Sequence, residues 1–259
     1  MKKLLLTLSV SIAAFSSVLL SSCDKEDPDA IKMEDVNKGI QVIIGADGKE
    51  YEVVDLGLSS GNLWAVCNMG ATSPEQTGSR FAWGETEPKD FFSWSNYKWS
   101  ADGNDFTLTK YCISMDNGTV DNKYQLEITD DPVNAKLGEN WHIPNSMDYE
   151  ELLTKRNCTS KWCKLNGVGG FLFTSVRKGY EGNSIFIPIA GMLDNKSIRF
   201  GDTRGWYWAD RIYYDDDNRR FETTYAEALL IEHSEIDNHY MSKLTRSAGL
   251  PIRPVFTAE

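Results

Sequence analysis

Chemistry in this chain has to come from carboxylates, thiols or aromatic rings, because it carries 38 acids against 27 Lys and Arg, five cysteines, 8 Trp, 11 Tyr and 11 Phe, and only three histidines. Glu85, Glu87, Asp194, Asp202 and Asp210 are the carboxylates available for acid–base work. No spacing among them fixes two at the separation a glycosidase needs. There is no Gly-x-Ser-x-Gly elbow and no His-Glu-x-x-His helix. The expectation is a protein that is not an enzyme. Asp215-Asp216-Asp217 has the charge of a calcium loop but lacks its alternating oxygen ligands, so it reads as solvated. No cofactor is expected; calcium stays open.

The aromatic residues offer more. Trp94, Tyr97 and Trp99 stand among Ser, Asn and Lys over residues 91–99. That mixture suits a carbohydrate platform, because sugar C–H faces stack on rings while hydroxyls need polar partners. A similar mixture over 201–210 adds Asp202, Arg204, Trp206 and Tyr207. These seven are the expected ligand-binding residues, with a glycan or a surface protein as partner. Trp83 and Glu85 are further cleft candidates. The competing reading is that the rings simply fill a core.

The thiols divide by position. Cys23 ends an apolar N-terminal run; Cys67, Cys112, Cys158 and Cys163 remain. Outside the cytoplasm those four allow three disulfide connectivities, or four free thiols. Cys158 and Cys163 are the closest pair. No Cys-x-x-Cys spacing supports a zinc site.

These residues need elements to hold them. Gln41–Ile44, Asp47-Gly48 and Tyr51–Leu56 read as strand, turn, strand. In the strand at Trp64, that ring and Val66 share a face. Ser73-Pro74 to Gly78 reads as a helical turn, and Lys110-Tyr111-Cys112 as a strand. Asp130-Asp131-Pro132 opens a helix through Ala135 that ends in a turn at Gly138. Asn145 caps the clearest helix, with Asp148 at the capping-box position and Tyr149, Leu152 and Leu153 on one face. Strands are expected at 171–176, 183–191 with Pro188 at an edge or bulge, 206–210 and 226–231. Trp206 and Trp208 share one face there and Tyr207 takes the other. Residues 250–256 form a closing strand, expected beside the first.

Lys2 and Lys3, then Leu4–Leu20, have the form of a secretory signal. Leu20-Ser21-Ser22-Cys23 resembles a bacterial lipobox, which implies lipidation of Cys23. Cys23-Asp24-Lys25-Glu26-Asp27 resembles the surface-export signal of Bacteroidota lipoproteins. The implied location is the outer membrane, lipid-anchored and facing the exterior. The organisation is then a signal at 1–22, a flexible tether at 23–39, and one domain at 40–259. The net charge of −11 and the lack of a basic block argue against nucleic acid. They leave the N-terminal lipid as the only expected membrane contact.

Asp55-Leu56-Gly57-Leu58-Ser59-Ser60-Gly61-Asn62-Leu63-Trp64-Ala65-Val66-Cys67-Asn68, followed by Phe81-Ala82-Trp83-Gly84-Glu85-Thr86, resembles the Fibrobacter succinogenes major paralogous domain. Trp141-His142-Ile143-Pro144, Phe186–Gly191, Tyr207-Trp208-Ala209 and Ile252-Arg253-Pro254-Val255 extend the likeness over about Tyr51 to Phe256. The resemblance implies an α+β, C-type-lectin-like fold: small mixed or antiparallel sheets, one or two helices and long loops. It is also similar to the fold of formylglycine-generating enzymes, which bind copper through cysteines in their C-terminal part. Here the last cysteine is Cys163, which removes that chemistry. A non-catalytic binding module is expected, with a structural subunit of a surface complex as the alternative.

Overall fold

The computed structural model describes residues 27–36 and 38–258. The expected signal segment and Cys23 lie outside them. The described chain begins with β1 (Ala30–Ile31) and one helical turn, α1 (Met33–Val36). β2 (Ile40–Ile44), β3 (Glu50–Val54) and β4 (Asn62–Ala65) follow as an antiparallel run. The β2–β3 turn is closed by the Gly48 amide donating to the Gly45 carbonyl at 2.9 Å. Gly48 sits there at φ +75°, the left-handed region a side chain disfavours. A long irregular stretch then leads to α2 (Pro132–Leu137), β5 (Trp141–His142) and α3 (Ser146–Leu153).

Both longer helices start as their residues dictate. The Asp131 carboxylate accepts from the Val133 and Asn134 amides, and Pro132 opens α2. Asn145 and Asp148 close a reciprocal capping box on α3. After α3 the chain is almost all strand: β6 (Cys158–Leu165), β7 (Val168–Ser175), β8 (Ser184–Pro188), β9 (Met192–Asp194) and β10 (Ser197–Arg199). β11 (Arg204–Asp215), β12 (Arg220–Glu232), β13 (Asn238–Thr245) and β14 (Val255–Thr257) complete it. The sheets run β2-β3-β4-β14-β5, β1-β6-β7-β8, β11-β12-β13 and β9-β10. Pairing is antiparallel throughout except for β1 on β6. The fold is α+β with small, mostly antiparallel sheets. β14 lies between β4 and β5 rather than beside the first strand, because its register pairs Val255 with Trp64 and with His142.

Two cores form because several strands are buried on both faces. Leu63 and Ala65 point into one core with Trp83, Trp141, Trp208 and Leu250. Trp64 and Val66 point into the other, with Tyr149, Phe171, Ile185 and Tyr207. β11 divides the same way: Trp206 and Trp208 enter the first core, Tyr207 and Ala209 the second. Strand alternation therefore feeds two interiors instead of one interior and solvent.

Four expectations are corrected. Residues 73–78 form a bend and turn, not a helical turn. Lys110-Tyr111-Cys112 is not a strand, because Tyr111 has φ 56° and the Asp121 carboxylate takes the Tyr111 and Cys112 amides at 2.9 and 2.8 Å. β6 was not among the expected strands, although Asn166-Gly167 marks its hairpin with β7, both residues at positive φ. Finally, the described part of the tether is docked. Ile31, Met33 and Val36 pack on Cys163, Leu165 and Phe186, and the Lys164 amide donates to the Asp29 carbonyl at 2.7 Å. Three apolar residues in six give that segment enough surface to bury.

Candidate functional site

Beyond residue 208 the β11–β12 ladder is interrupted. Trp208 faces Ala228 and Ile212 faces Ala226, so residues 209–211 stand opposite Glu227 alone. Such a bulge bends the strand and re-aims side chains. Three carbonyls here are taken from outside the ladder: Trp208 by the Tyr149 hydroxyl at 3.1 Å, Ala209 by the Trp83 indole at 2.8 Å, and Asp210 by the Leu126 amide at 2.8 Å. Past the bulge the hairpin continues outward to the turn at 216–219, and its aromatic side chains are only partly covered, with Phe221 packed on the rim of the first core.

A cleft of about 600 Å³ opens there, between the 113–117 loop and the outer end of β12. Its walls include Asp116, Asn117, Arg220, Phe221, Tyr225 and Lys243. Phe221 stacks on Tyr124 at 4.9 Å and 20°, and meets Tyr214 edge-on at 4.9 Å. Lys243 pairs with Glu222 and lies 4.6 Å from the Tyr213 ring and 5.1 Å from the Tyr225 ring. Tyr124 and Tyr225 keep 48% and 38% of their surface exposed. The site thus offers ring faces beside carboxylate, amide and guanidinium groups.

The cleft is fixed from below by Arg246, which is fully buried. Its guanidinium donates to the carbonyls of Lys110, Tyr111 and Thr223, each at 3.0 Å, and to the Tyr97 hydroxyl at 2.9 Å. One cation therefore ties the loop to β12. The rings of Trp83, Tyr97 and Tyr111 surround it within 6 Å. Arg253 is caged in the same manner, by Asn68 and the carbonyls of Ala65, Val66 and Phe186. Burial pulls its proton affinity below the ordinary value.

The expected ligand residues do not form one surface. Tyr97, Trp206 and Tyr207 are buried. The Tyr97 hydroxyl donates to the Trp83 carbonyl at 2.8 Å and that of Tyr207 to Pro188 at 2.7 Å. Trp94 and Trp99 are half-buried; Trp94 meets Tyr97 edge-on, and the Trp99 indole donates to the Gly84 carbonyl at 2.9 Å. Arg204 is paired with Glu232 at 2.6 Å, while Asp202 is exposed on the turn before it. The 94–99 segment belongs to one apolar cluster, Trp206 to a second and Tyr207 to a third. This corrects the proposed platform: polar neighbours marked sharp turns and two-sided strands here, not exposure. Trp83 is likewise core, and Glu85 is buried against Lys89 and the Lys98 amide. Sequence reasoning missed the cleft residues. The available signal was the aromatic content of Tyr213-Tyr214 and Phe221–Tyr225 on either side of an acidic turn.

Among the five candidate acids, Glu87 is exposed on Lys136, and Asp194 and Asp202 lie near the surface. Asp210 is the one the structure sets facing other carboxylates. Burial pushes its carboxyl up to about 6, with Glu227 and Asp148 adding to the effect. Gln125 donates to it at 2.6 Å, and Glu227 is held by Arg211 at 2.8 Å and by Ser146.

Cys67, Cys112, Cys158 and Cys163 are all free thiols. Cys158 and Cys163 lie five positions apart on β6 and so point to opposite faces, into different clusters. Burial pushes Cys158 up to about 12 and Cys163 to about 11. Cys67, half-buried, lines a second cavity of about 700 Å³ with Tyr51, Met69, Leu137 and Pro254. Asp215 caps its own turn through Asn218 at 2.7 Å, and no group of three metal-ligating side chains occurs among the described residues.

No family model, curated protein or solved structure matches this chain.

Proposed function

We propose that this chain is a lipid-anchored, cell-surface binding module whose ligand is a glycan, taken up without catalysis in the cleft beside β12. The observation that carries the reading is the juxtaposition of exposed Tyr225 and the half-buried Phe221, itself backed by Tyr124, with Asp116, Asn117 and Arg220. Rings supply stacking faces, and planar polar groups supply directional hydrogen bonds to hydroxyls. Arg246 holds the two walls before any ligand arrives, which lowers the ordering cost of binding. The N-terminal likeness to a lipobox and an export signal supports the location.

The test is a titration of the chain from Asp24 onward against mucins, host glycans and plant polysaccharides, with and without calcium. Saturable binding is expected, weakened about tenfold by Phe221→Ala or Tyr225→Ala in variants that keep their near-UV spectrum. Binding indifferent to both changes, or no binding to any glycan, would reject the cleft. A role as an assembly subunit draws support from a separate place: β2 is an edge strand on which Val42 and Ile44 are 51% and 61% exposed.

A further inference from the structure

The net charge of −11 hides a segregated distribution. Residues 152–180 hold Lys155, Arg156, Lys161, Lys164, Arg177 and Lys178, and not one Asp or Glu. The fold keeps Lys155, Arg156, Arg177 and Lys178 together at the open end of the β6–β7 hairpin. Lys161 and Lys164 lie on β6 itself, three positions apart and so on opposite faces, with Lys164 at the turn end beside β1 and Asp27. Lys155 and Arg156 precede that strand. Arg177 and Lys178 follow β7, and the Val176 amide donates to the Asn157 carbonyl at 2.8 Å, which places the two basic loops side by side. Elsewhere many surface cations are neutralised by acids, as at Lys110, Lys123, Lys136, Arg204 and Lys243. Of these six, only Lys164 is paired, with Asp27 at 2.7 Å, among the described residues.

The second observation is where the chain enters. Asp27 is bound to Lys164 of this same hairpin, and Cys23 is four residues upstream. Four residues span at most about 14 Å. A lipid on Cys23 therefore holds the Lys164 end of this hairpin close to the bilayer, and the basic loops reach the surface when the hairpin lies along it. The candidate cleft is at the other end of β12: Phe221 to Tyr225 line it, while His233, just past the strand's inner end, stacks on Trp162 of β6 at 3.7 Å. From Thr223 to Glu232 a strand extends about 30 Å.

We infer that the β6–β7 hairpin is a membrane-facing surface whose partner is the anionic headgroups of the bilayer that carries the chain, leaving the cleft directed outward. Unpaired cations beside a negative leaflet are attracted over about one screening length, roughly 10 Å. That is shorter than the domain, so the local patch counts for more than the net charge. The orientation rests on the lipid-anchored reading; the affinity of the patch for anionic headgroups does not.

The test uses the chain from Asp24 onward, which carries no lipid, sedimented with vesicles of phosphatidylcholine alone or mixed with phosphatidylglycerol. Binding to the mixed vesicles at low salt, its loss at high salt, and no binding to phosphatidylcholine are expected. Lys155→Gln, Arg156→Gln, Lys161→Gln and Lys178→Gln together should weaken partitioning at least about tenfold, with the melting temperature retained. Lys196→Gln with Arg219→Gln, unpaired cations outside the hairpin, should leave it unchanged. Equal binding to both vesicle types, no binding to either, equal loss in the control variant, or binding to RNA but not to vesicles would each overturn the proposal. Lipidation is read separately, by the mass of the full chain from membranes with and without Cys23→Ser. Its failure removes the orientation and leaves the vesicle result standing.

Discussion

Two aromatic populations share the β11–β12 hairpin and behave differently. On the inner half, Trp206, Tyr207 and Trp208 are buried, and the Trp208 indole donates to the Phe81 carbonyl at 2.8 Å. On the outer half, Tyr214, Phe221 and Tyr225 stack on one another or under a lysine at the border with solvent. The same residue types serve cohesion in one half and display in the other. The divide lies just past the bulge at 209–211: Ile212 and its partner Ala226 are still in the first core, and the rings beyond them are only partly covered. A ring's role here follows from its position along the hairpin rather than from its polar neighbours.

Substitutions on the two sides should separate sharply. Trp208→Ala removes a buried ring and one of the two hydrogen bonds to the Phe81 carbonyl, which keeps the Leu250 amide at 3.1 Å, so a loss of about 4 kcal/mol in urea unfolding is expected. A loss below about 1 kcal/mol would mean that the inner half is no core. Arg246→Met deprives three carbonyls of donors and should cost about 3 kcal/mol. It should also raise hydrogen exchange over 110–117, the cleft wall it fixes. Unchanged exchange there would disconnect the inner half from the outer.

Asp210 at the bulge sharpens the comparison through pH. Its folded-state carboxyl is raised to about 6 from an ordinary value of 3.8. The folded chain thus holds a proton that the unfolded chain releases, and this stabilisation is lost as pH rises from about 4 to 6. Asp210→Asn should therefore gain about 1–2 kcal/mol at pH 7.5 relative to wild type and little at pH 3.5. An equal gain at both would remove the titration argument. The smallest effect is expected outside: Tyr225→Ala, at a ring 38% exposed, should change stability by less than about 1 kcal/mol while weakening glycan binding about tenfold. Thiol alkylation provides a further check. In the folded chain Cys67 should react ahead of Cys112, Cys158 and Cys163, and early reaction of Cys158 would show the second core to be open.

Local chemistry was legible where neighbours in sequence decide it. Asn145 with Asp148, and Asp131-Pro132 with Gly138, each set a helix end, and both helices stand where those residues place them. The alternation of Trp206 and Trp208 against Tyr207 was legible as well. What lay on the far side of each face was not, since alternation cannot distinguish a second core from solvent. The site was lost there: Tyr97, Trp206 and Tyr207 have the residue types of a platform and the surroundings of an interior. Tyr111 was missed because its backbone is set by Asp121, ten residues away in the chain. The place of β14 depends on partners nearly 200 residues away, Asn62 and Leu63, which no local pattern reports.

The docked N-terminal segment also has a mechanical meaning. A pull applied upstream of Asp27 loads β1 and α1 first, and these are held by a two-residue pairing, an ion pair and one small apolar cluster. Peeling them back to Gly39 would release twelve residues, about 40 Å of extra length, while both main cores stay closed. The segment is a slack reserve: under tension from the N-terminal side the chain lengthens before either main core bears the force.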